Sequence, residues 1–236
     1  MSKSSRRCGT WASDGAMTIR HIIFDCDGVL IDSEEISMAV DRALLAENGV
    51  HLSEGDMHRR FVGKTFTAMI SEIETQYGRA MPADLEARKD VIMLEAYARD
   101  LKPVAGVPAM LDAVTLPKSI GTNGPRARAM QALRLLKIGH HFDERMTTFE
   151  DVKNGKPAPD IYLLAAQRAG FAPSDCAVVE DSVTGVAAAV AAGCVTFGFT
   201  GSQVHRSEHA LKLVELGAHV VFDDMAKLPG LLAKLG

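Results

Sequence analysis

The 236-residue sequence predicts an α/β fold: a parallel sheet with helices on its faces, interrupted once by an all-helical insertion. Three observations predict it. Ile22-Ile23-Phe24 is a β-branched and aromatic run that reads as a buried strand. From Lys118 onward, short apolar runs alternate with segments of helical period, the pattern of strands joined by right-handed crossovers. Between Glu34 and Leu101 the helical period persists without a convincing strand, so about 65 residues read as a separate helical module.

The elements follow in order. After the strand at Ile22–Phe24, Ile36, Val40, Ala43 and Leu44 repeat at helical spacing, and Asn48-Gly49 supplies a stop. Helical patterns continue over 53–61, 67–77 and 83–101, broken at Gly63, Gly78 and Pro82. The crossings between insertion and sheet fall near Asp32-Ser33 and Leu101-Lys102-Pro103. Pro108 suits the first turn of a helix reaching Ala113, because its missing N–H is harmless there. Strands are then expected at 118–122, 144–148, 176–180 and 195–199, with a weak last one at 219–222. Helices are expected at 126–136, 159–169, 184–192 and 207–216. The predicted units are therefore a core of 19–32 plus 102–236, a helical module of 33–101, and a disordered extension of 1–18, with Met17 a second candidate start.

Composition narrows the class. Apolar residues make up 47% of the chain and both charge signs are mixed, as in ordinary globular proteins. A net charge of −4 gives no case for nucleic acid or an anionic membrane surface, and no apolar stretch approaches spanning length. The N-terminus lacks the apolar core of a secretory signal. Cys8, Cys26, Cys176 and Cys194 show no Cys-x-x-Cys spacing and read as reduced thiols of a cytoplasmic protein. Cys26 reads as packing beside aspartates rather than as a nucleophile.

Four stretches carry chemistry. The first strand ends on Asp25 and Asp27, which period-2 geometry projects to one side of its C-terminal mouth, where open parallel sheets bind ligands. Two close carboxylates need a cation or a proton between them, and a hard divalent ion with oxygen ligands suits both. Thr122-Asn123-Gly124-Pro125 ends a strand and opens a helix; its hydroxyl and N–H groups suit a phosphate oxygen, although the same four residues also make an ordinary turn. Lys156-Pro-x-Pro-Asp160 places a lysine at a helix start, where a fixed cation can offset charge moving between a carboxylate and a phosphoryl group. Lys153 is the less favoured choice. Glu180 and Asp181 end an apolar strand, which is costly unless a cation or protons compensate them. Asp181, Asp25 and the Asp27 backbone carbonyl would build an oxygen cage acceptable to Mg²⁺, with Glu180 close by.

These stretches, in this order, resemble the four motifs of the haloacid dehalogenase superfamily, in its phosphatase and phosphomutase branch. The resemblance implies a Rossmann-like core with residues 33–101 as a helical cap. It implies that Asp25 is the nucleophile, forming an aspartyl-phosphate, and Asp27 the general acid and base. It further places Thr122 and Asn123 on the phosphate, Lys156 on both partners, and Mg²⁺ on Asp25, Asp27, Asp181 and Glu180. The expected substrate is a small phosphomonoester, a sugar or sugar-acid phosphate. True dehalogenases lack the second aspartate, and phosphonatases use a cap lysine in its place. β-Phosphoglucomutases share all four motifs but carry a histidine where this chain has Ser37. With Arg60-Phe-Val-Gly-Lys64 added, the chain resembles most the 6-phosphogluconate phosphatases and other sugar-phosphate phosphatases. Gly63-Lys64-Thr65 is the expected reading loop, with Lys64 on the substrate's distal end. A catalytically silent binding protein is the non-enzyme alternative, disfavoured because Asp25, Asp27, Lys156 and Asp181 are all present. His205 and His209 stand at a metal-capable i, i+4 spacing without an evident third ligand, and read as part of a solvated helix. A monomer without nucleic-acid or membrane partners is expected.

Overall fold

The computed structural model describes residues 18–61, 64–142, 145–203 and 206–235. The chain runs β1 (His21–Phe24), β2 (Ile31–Asp32), α1 (Glu34–Glu47), α2 (Glu54–Phe61), α3 (Phe66–Tyr77), α4 (Leu85–Asp100), β3 (Lys102–Pro103) and α5 (Val107–Ala113). It continues through β4 (Lys118–Thr122), α6 (Arg126–Leu135), β5 (Met146–Thr148), α7 (Asp160–Ala169), β6 (Cys176–Glu180), α8 (Val183–Ala191), β7 (Val195–Phe199), α9 (Arg206–Glu215), β8 (Val220–Phe222) and α10 (Leu228–Leu232).

Among the described residues the main sheet has six strands in the order β5-β4-β1-β6-β7-β8, and every pairing is parallel. The order reverses at β1, whose neighbours are β4 and β6, and such a switch point opens a crevice at the strands' C-terminal ends. Asp25 and Thr122 lie at that edge, as do Glu180 and Asp181. All four β1 residues are fully buried, which explains a strand apolar on both faces rather than alternating. Ile23 and Val178 pack with Tyr162, Ala165 and Ala166 of α7 and with Ala188 and Ala189 of α8. Ile22, Phe24 and Val179 face the opposite layer, with Ala129, Leu133 and Phe142. The alanines let α8 lie close on the sheet.

Helices α1–α4 leave and rejoin the sheet through β2 and β3, which pair antiparallel as Ile31↔Pro103 and Asp32↔Lys102. Two-residue strands carry no periodicity, so their pairing is visible only in three dimensions. Other departures from the sequence expectation are a turn or less at element ends, where helices fray. Exceptions are α10, which the sequence reading lacked, and Glu144, which lies outside the described residues along with 1–17 of the expected extension. No helix among the described residues is long and apolar enough to cross a membrane.

Candidate active site

Asp25 continues β1 and its N–H donates to Val179 O at 2.9 Å, so the sheet itself fixes the residue. Gly28 makes the turn that follows with φ +75°, and a side chain there would stand 2.2 Å from Asp181 Oδ2. Only glycine permits both that backbone and that approach. The turn closes through Gly28 N–H to Ile31 O and Ile31 N–H to Cys26 O, bonds that bypass the Asp27 carbonyl.

Lys156 is buried, whereas Lys153 is exposed. The Lys156 ammonium donates to Asp25 Oδ1 at 2.6 Å, Glu180 Oε1 at 2.6 Å and Gly121 O at 2.8 Å, so all three N–H groups are satisfied. Against burial, which pulls it down, Asp25 and Glu180 hold that ammonium above the usual lysine range. The loop carrying it is pinned by Asn123, whose Oδ1 accepts from Lys156 N–H at 2.9 Å and whose Nδ2 donates to Lys156 O at 3.2 Å. Asn123, expected on the phosphate, thus has its side-chain amide committed to holding Lys156. Thr122 is buried, and its Oγ1 accepts from Gly124 N–H at 3.0 Å, leaving its own proton to donate.

Glu180 is fully buried with both oxygens engaged. Oε1 takes Lys156 and the Tyr162 hydroxyl at 2.7 Å; Oε2 takes the N–H and hydroxyl of Ser182, both at 3.0 Å. Ser182 Oγ also caps α8 by accepting from Gly185 N–H at 2.9 Å. Asp181 accepts from Gln203 Nε2 at 3.0 Å on Oδ2, while its carbonyl meets the His209 ring. His209 is therefore tied to the site's backbone rather than solvated, and its spacing partner His205 lies outside the described residues.

Asp27 is only half-buried and lies two residues beyond Asp25. Its Oδ1 accepts from Ser33 Oγ at 2.6 Å and the Tyr97 hydroxyl at 3.1 Å, with Arg128 nearby raised by its charge against burial. Two donors on Oδ1 leave Oδ2 as the oxygen able to carry a proton. Tyr97, Tyr162, Gln203 and Arg128 were not singled out from the sequence, since each meets its partner across at least 18 residues.

The residues fit a divalent cation. Carboxylate oxygens of Asp25, Glu180 and Asp181 lie within 4.8 Å of one another. Burial, partly offset by Lys156 and aided by Glu180 and Asp27, pushes the Asp25 carboxyl up to about 7. Burial with Glu180 and Asp25 pushes Asp181 well above the carboxylate range. Such a cluster is short of positive charge, and its donors are hard oxygens. With Glu180 engaged on both oxygens, Asp25 and Asp181 are the carboxylates of this cluster left with an oxygen free to hold a cation. Cys26 is no rival nucleophile, because burial and both aspartates push its thiol far up.

These groups open into a cleft of about 990 Å³ bounded on the far side by residues of α1–α4. Lys64 sits at its rim, 42% exposed, paired with Glu72 Oε2 at 2.6 Å; Arg60 shares that glutamate, and Gly63 lies outside the described residues.

Comparison with known proteins agrees with this architecture. The chain is 29% identical over 185 residues to the 6-phosphogluconate phosphatase of Escherichia coli, covering 77% of this chain and 82% of that one. It is 32% identical over 213 residues to a phosphorylated carbohydrates phosphatase of Thermotoga maritima, covering 84% and 91%. A haloacid dehalogenase-like protein of unknown function from Agrobacterium tumefaciens superposes with a TM-score of 0.80 at 34% identity, covering 92% of this chain and 99% of its own. The haloacid dehalogenase-like hydrolase model matches residues 19–193. The chain belongs to the haloacid dehalogenase-like hydrolase family.

Proposed function

We propose that the chain hydrolyses small phosphomonoesters, sugar or sugar-acid phosphates, through an aspartyl-phosphate on Asp25 with Mg²⁺ as cofactor. The observation that carries the reading is the buried Lys156 ammonium, 2.6 Å from Asp25 Oδ1, at the carboxyl edge of the central strand with Asp181 beside it. Relatives named as phosphatases of phosphorylated carbohydrates support the substrate class.

Asp25 attacks phosphorus, and its new O–P bond forms as the ester O–P bond breaks. Asp27 gives its Oδ2 proton to the departing alkoxide, then removes a proton from the water that attacks the aspartyl-phosphate and frees Asp25. Splitting one displacement into two gives each an activated nucleophile. Lys156 neutralises charge on Asp25 and on the phosphoryl oxygens as it shifts between them. Thr122 donates its hydroxyl to the phosphoryl group. Asp25, Asp181 and the Asp27 carbonyl would hold Mg²⁺, which would supply the further positive charge that the carboxylates and phosphoryl oxygens require. Residues 33–101 serve as a cap that excludes water during transfer and contacts the leaving group. Ser37 stands where the mutases carry histidine, which favours hydrolysis over phosphoryl return.

Phosphate release from a panel of phosphomonoesters, with Mg²⁺ or EDTA, tests the reading in the wild type and Asp25→Asn. Release that needs metal and is lost in Asp25→Asn is the expected outcome. Isomerised sugar phosphate without released phosphate would overturn the hydrolase assignment, and full activity in EDTA would overturn the metal.

A further inference from the structure

A second cavity shares none of its lining residues with the catalytic cleft. It is a hollow of about 340 Å³ beside the edge strand β5, within the range of about 300–1,000 Å³ in which small-molecule sites fall. Small side chains leave it open: Ser119 of β4, Thr147 of β5, and Ala165 and Ala169, one turn apart on α7. Arg126, Arg145 and Arg168 also line it, and no carboxylate is among the described residues that do.

Two of these arginines are already held in place. Arg126 of α6 and Arg168 of α7 reach the sheet edge from opposite faces, and both donate to Met146 O, at 3.3 and 3.2 Å. Each also pairs with Asp151, and Arg168 donates to Thr147 Oγ1 at 3.3 Å. Glu150, exposed and outside the lining, accepts from the Arg126 backbone N–H at 3.2 Å. Covering an exposed strand edge explains these anchors, but it does not explain the hollow beside them. Nor does it use up the donors. Arg126 Nε and Nη1 and Arg168 Nε donate to no group among the described residues, out of five N–H groups on each guanidinium.

Ser119 supplies one more donor. Its Oγ lies 2.8 Å from His21 Nε2, and both residues are buried. His21 Nδ1 is sealed off without a partner, so a proton there would be a buried donor left unmet. The imidazole proton therefore belongs on Nε2, donating to Ser119, and the Ser119 hydrogen is left to serve the hollow. Burial and the Arg145 charge hold His21 at about 4, so the ring stays neutral and this arrangement persists at neutral pH.

We infer that this hollow is a second anion site, built for a phosphoryl group: inorganic phosphate or the phosphate of a small ester. Guanidinium forks match phosphate oxygens in pairs, and the Ser119 hydroxyl takes a further one. Donors from β4, α6 and α7 surround the space, which suits a tetrahedral oxyanion better than a planar carboxylate with two oxygens. Because Arg126 and Arg168 are anchored beforehand, little side-chain freedom is lost on binding. The inference does not rest on the phosphatase reading, since it concerns residues outside the catalytic cleft.

The test is the rate at which phenylglyoxal labels Arg145 and Arg168, read by mass spectrometry of the wild type in inorganic phosphate and in sodium chloride of equal ionic strength. Arg99, exposed on α4 and outside both cavities, is the internal reference. Labelling of both residues should slow along one saturation curve, by about elevenfold at ten times the dissociation constant, while Arg99 stays unchanged. Methylphosphonate, which has no ester bond to hydrolyse, stands in for a phosphorylated metabolite. Protection by it as well as by phosphate assigns the site to esters, and protection by phosphate alone assigns it to the free ion. Ala169→Leu fills the hollow from a half-buried position without touching a charge, and should abolish the protection. Should that variant not fold, Arg145→Gln alters an exposed residue and should raise the phosphate concentration that half-protects Arg168 by at least about tenfold. Slowing no greater than in chloride, or undiminished protection in either folded variant, would overturn the inference.

Discussion

Alanine for glycine within a helix ordinarily stabilises a protein by roughly 0.5–1 kcal/mol, but at Gly185 the sign should reverse. A Cβ there would lie 1.7 Å from Glu180 Oε1, 1.9 Å from Cδ and 2.3 Å from Oε2, overlapping the whole carboxylate. Glu180 cannot yield cheaply, because it is fully buried and its oxygens hold Lys156, Tyr162 and both donors of Ser182. Displacing it breaks a buried ion pair, a loss of about 3–5 kcal/mol, which exceeds the helix gain and leaves a net destabilisation of about 2–4 kcal/mol. At roughly 2–4 °C per kcal/mol for a chain of this size, Tm should fall by roughly 4–16 °C. Circular dichroism melts of Gly185→Ala and Gly230→Ala make the comparison. Gly230 lies in α10 with nothing within 4 Å of its would-be Cβ, so its alanine variant should melt at or above the wild type. A Gly185→Ala protein that melts as high as the wild type would refute the claim that Gly185 exists to admit Glu180.

Other perturbations have equally definite expectations. Tyr162→Phe removes a buried donor 2.7 Å from a carboxylate, a loss of about 1.5–3 kcal/mol, readable as a lower urea midpoint; an unchanged midpoint would show Glu180 needs no third support. Tyr97→Phe should lower kcat more than it raises KM, since the hydroxyl orients Asp27 without touching phosphate; a pure KM effect would contradict that role. Although burial pushes Asp151 up, Arg168, the Thr148 N–H and Arg126 hold its carboxyl at about 2. A depressed folded-state value contributes stability above the unfolded value and loses it as pH falls, so the gap in stability between wild type and Asp151→Asn should close between about pH 4 and pH 2. A gap constant over that range would disprove the linkage. Cys26, Cys176 and Cys194 are buried, and burial pushes the last two thiols to about 11 and 12. A native Cys8→Ser protein should therefore resist iodoacetamide until urea is added, and rapid native labelling would contradict this packing.

Much of the molecule was legible in the residues. The strands 118–122, 176–180 and 195–199 appear with their expected bounds, because a fully buried parallel strand is written as an apolar run between turn residues. The acidic pairs at the ends of β1 and β6 were conspicuous for the opposite reason: carboxylates abutting apolar strands are costly and seldom accidental. Lys156 was separable from Lys153 by its prolines, and burial separates them in the same way. Lys64 was less legible. A lysine in a polar loop carries no mark of its partner, and Glu72 pairs with it from the next helix.

What the sequence determined by itself is whatever depends on neighbours in the chain: the periods that make each strand and helix, and the groups carried at the strand ends. Tertiary structure alone decided how those groups divide their work. It made Glu180 the anchor of Lys156, tied the Asn123 side chain to the lysine loop, hung Asp27 from Tyr97, and set Lys89 against Asp41 at 48 residues' remove. A hydrogen bond has a reach of about 3 Å, and local spacing holds no record of which distant residue folding will bring within it.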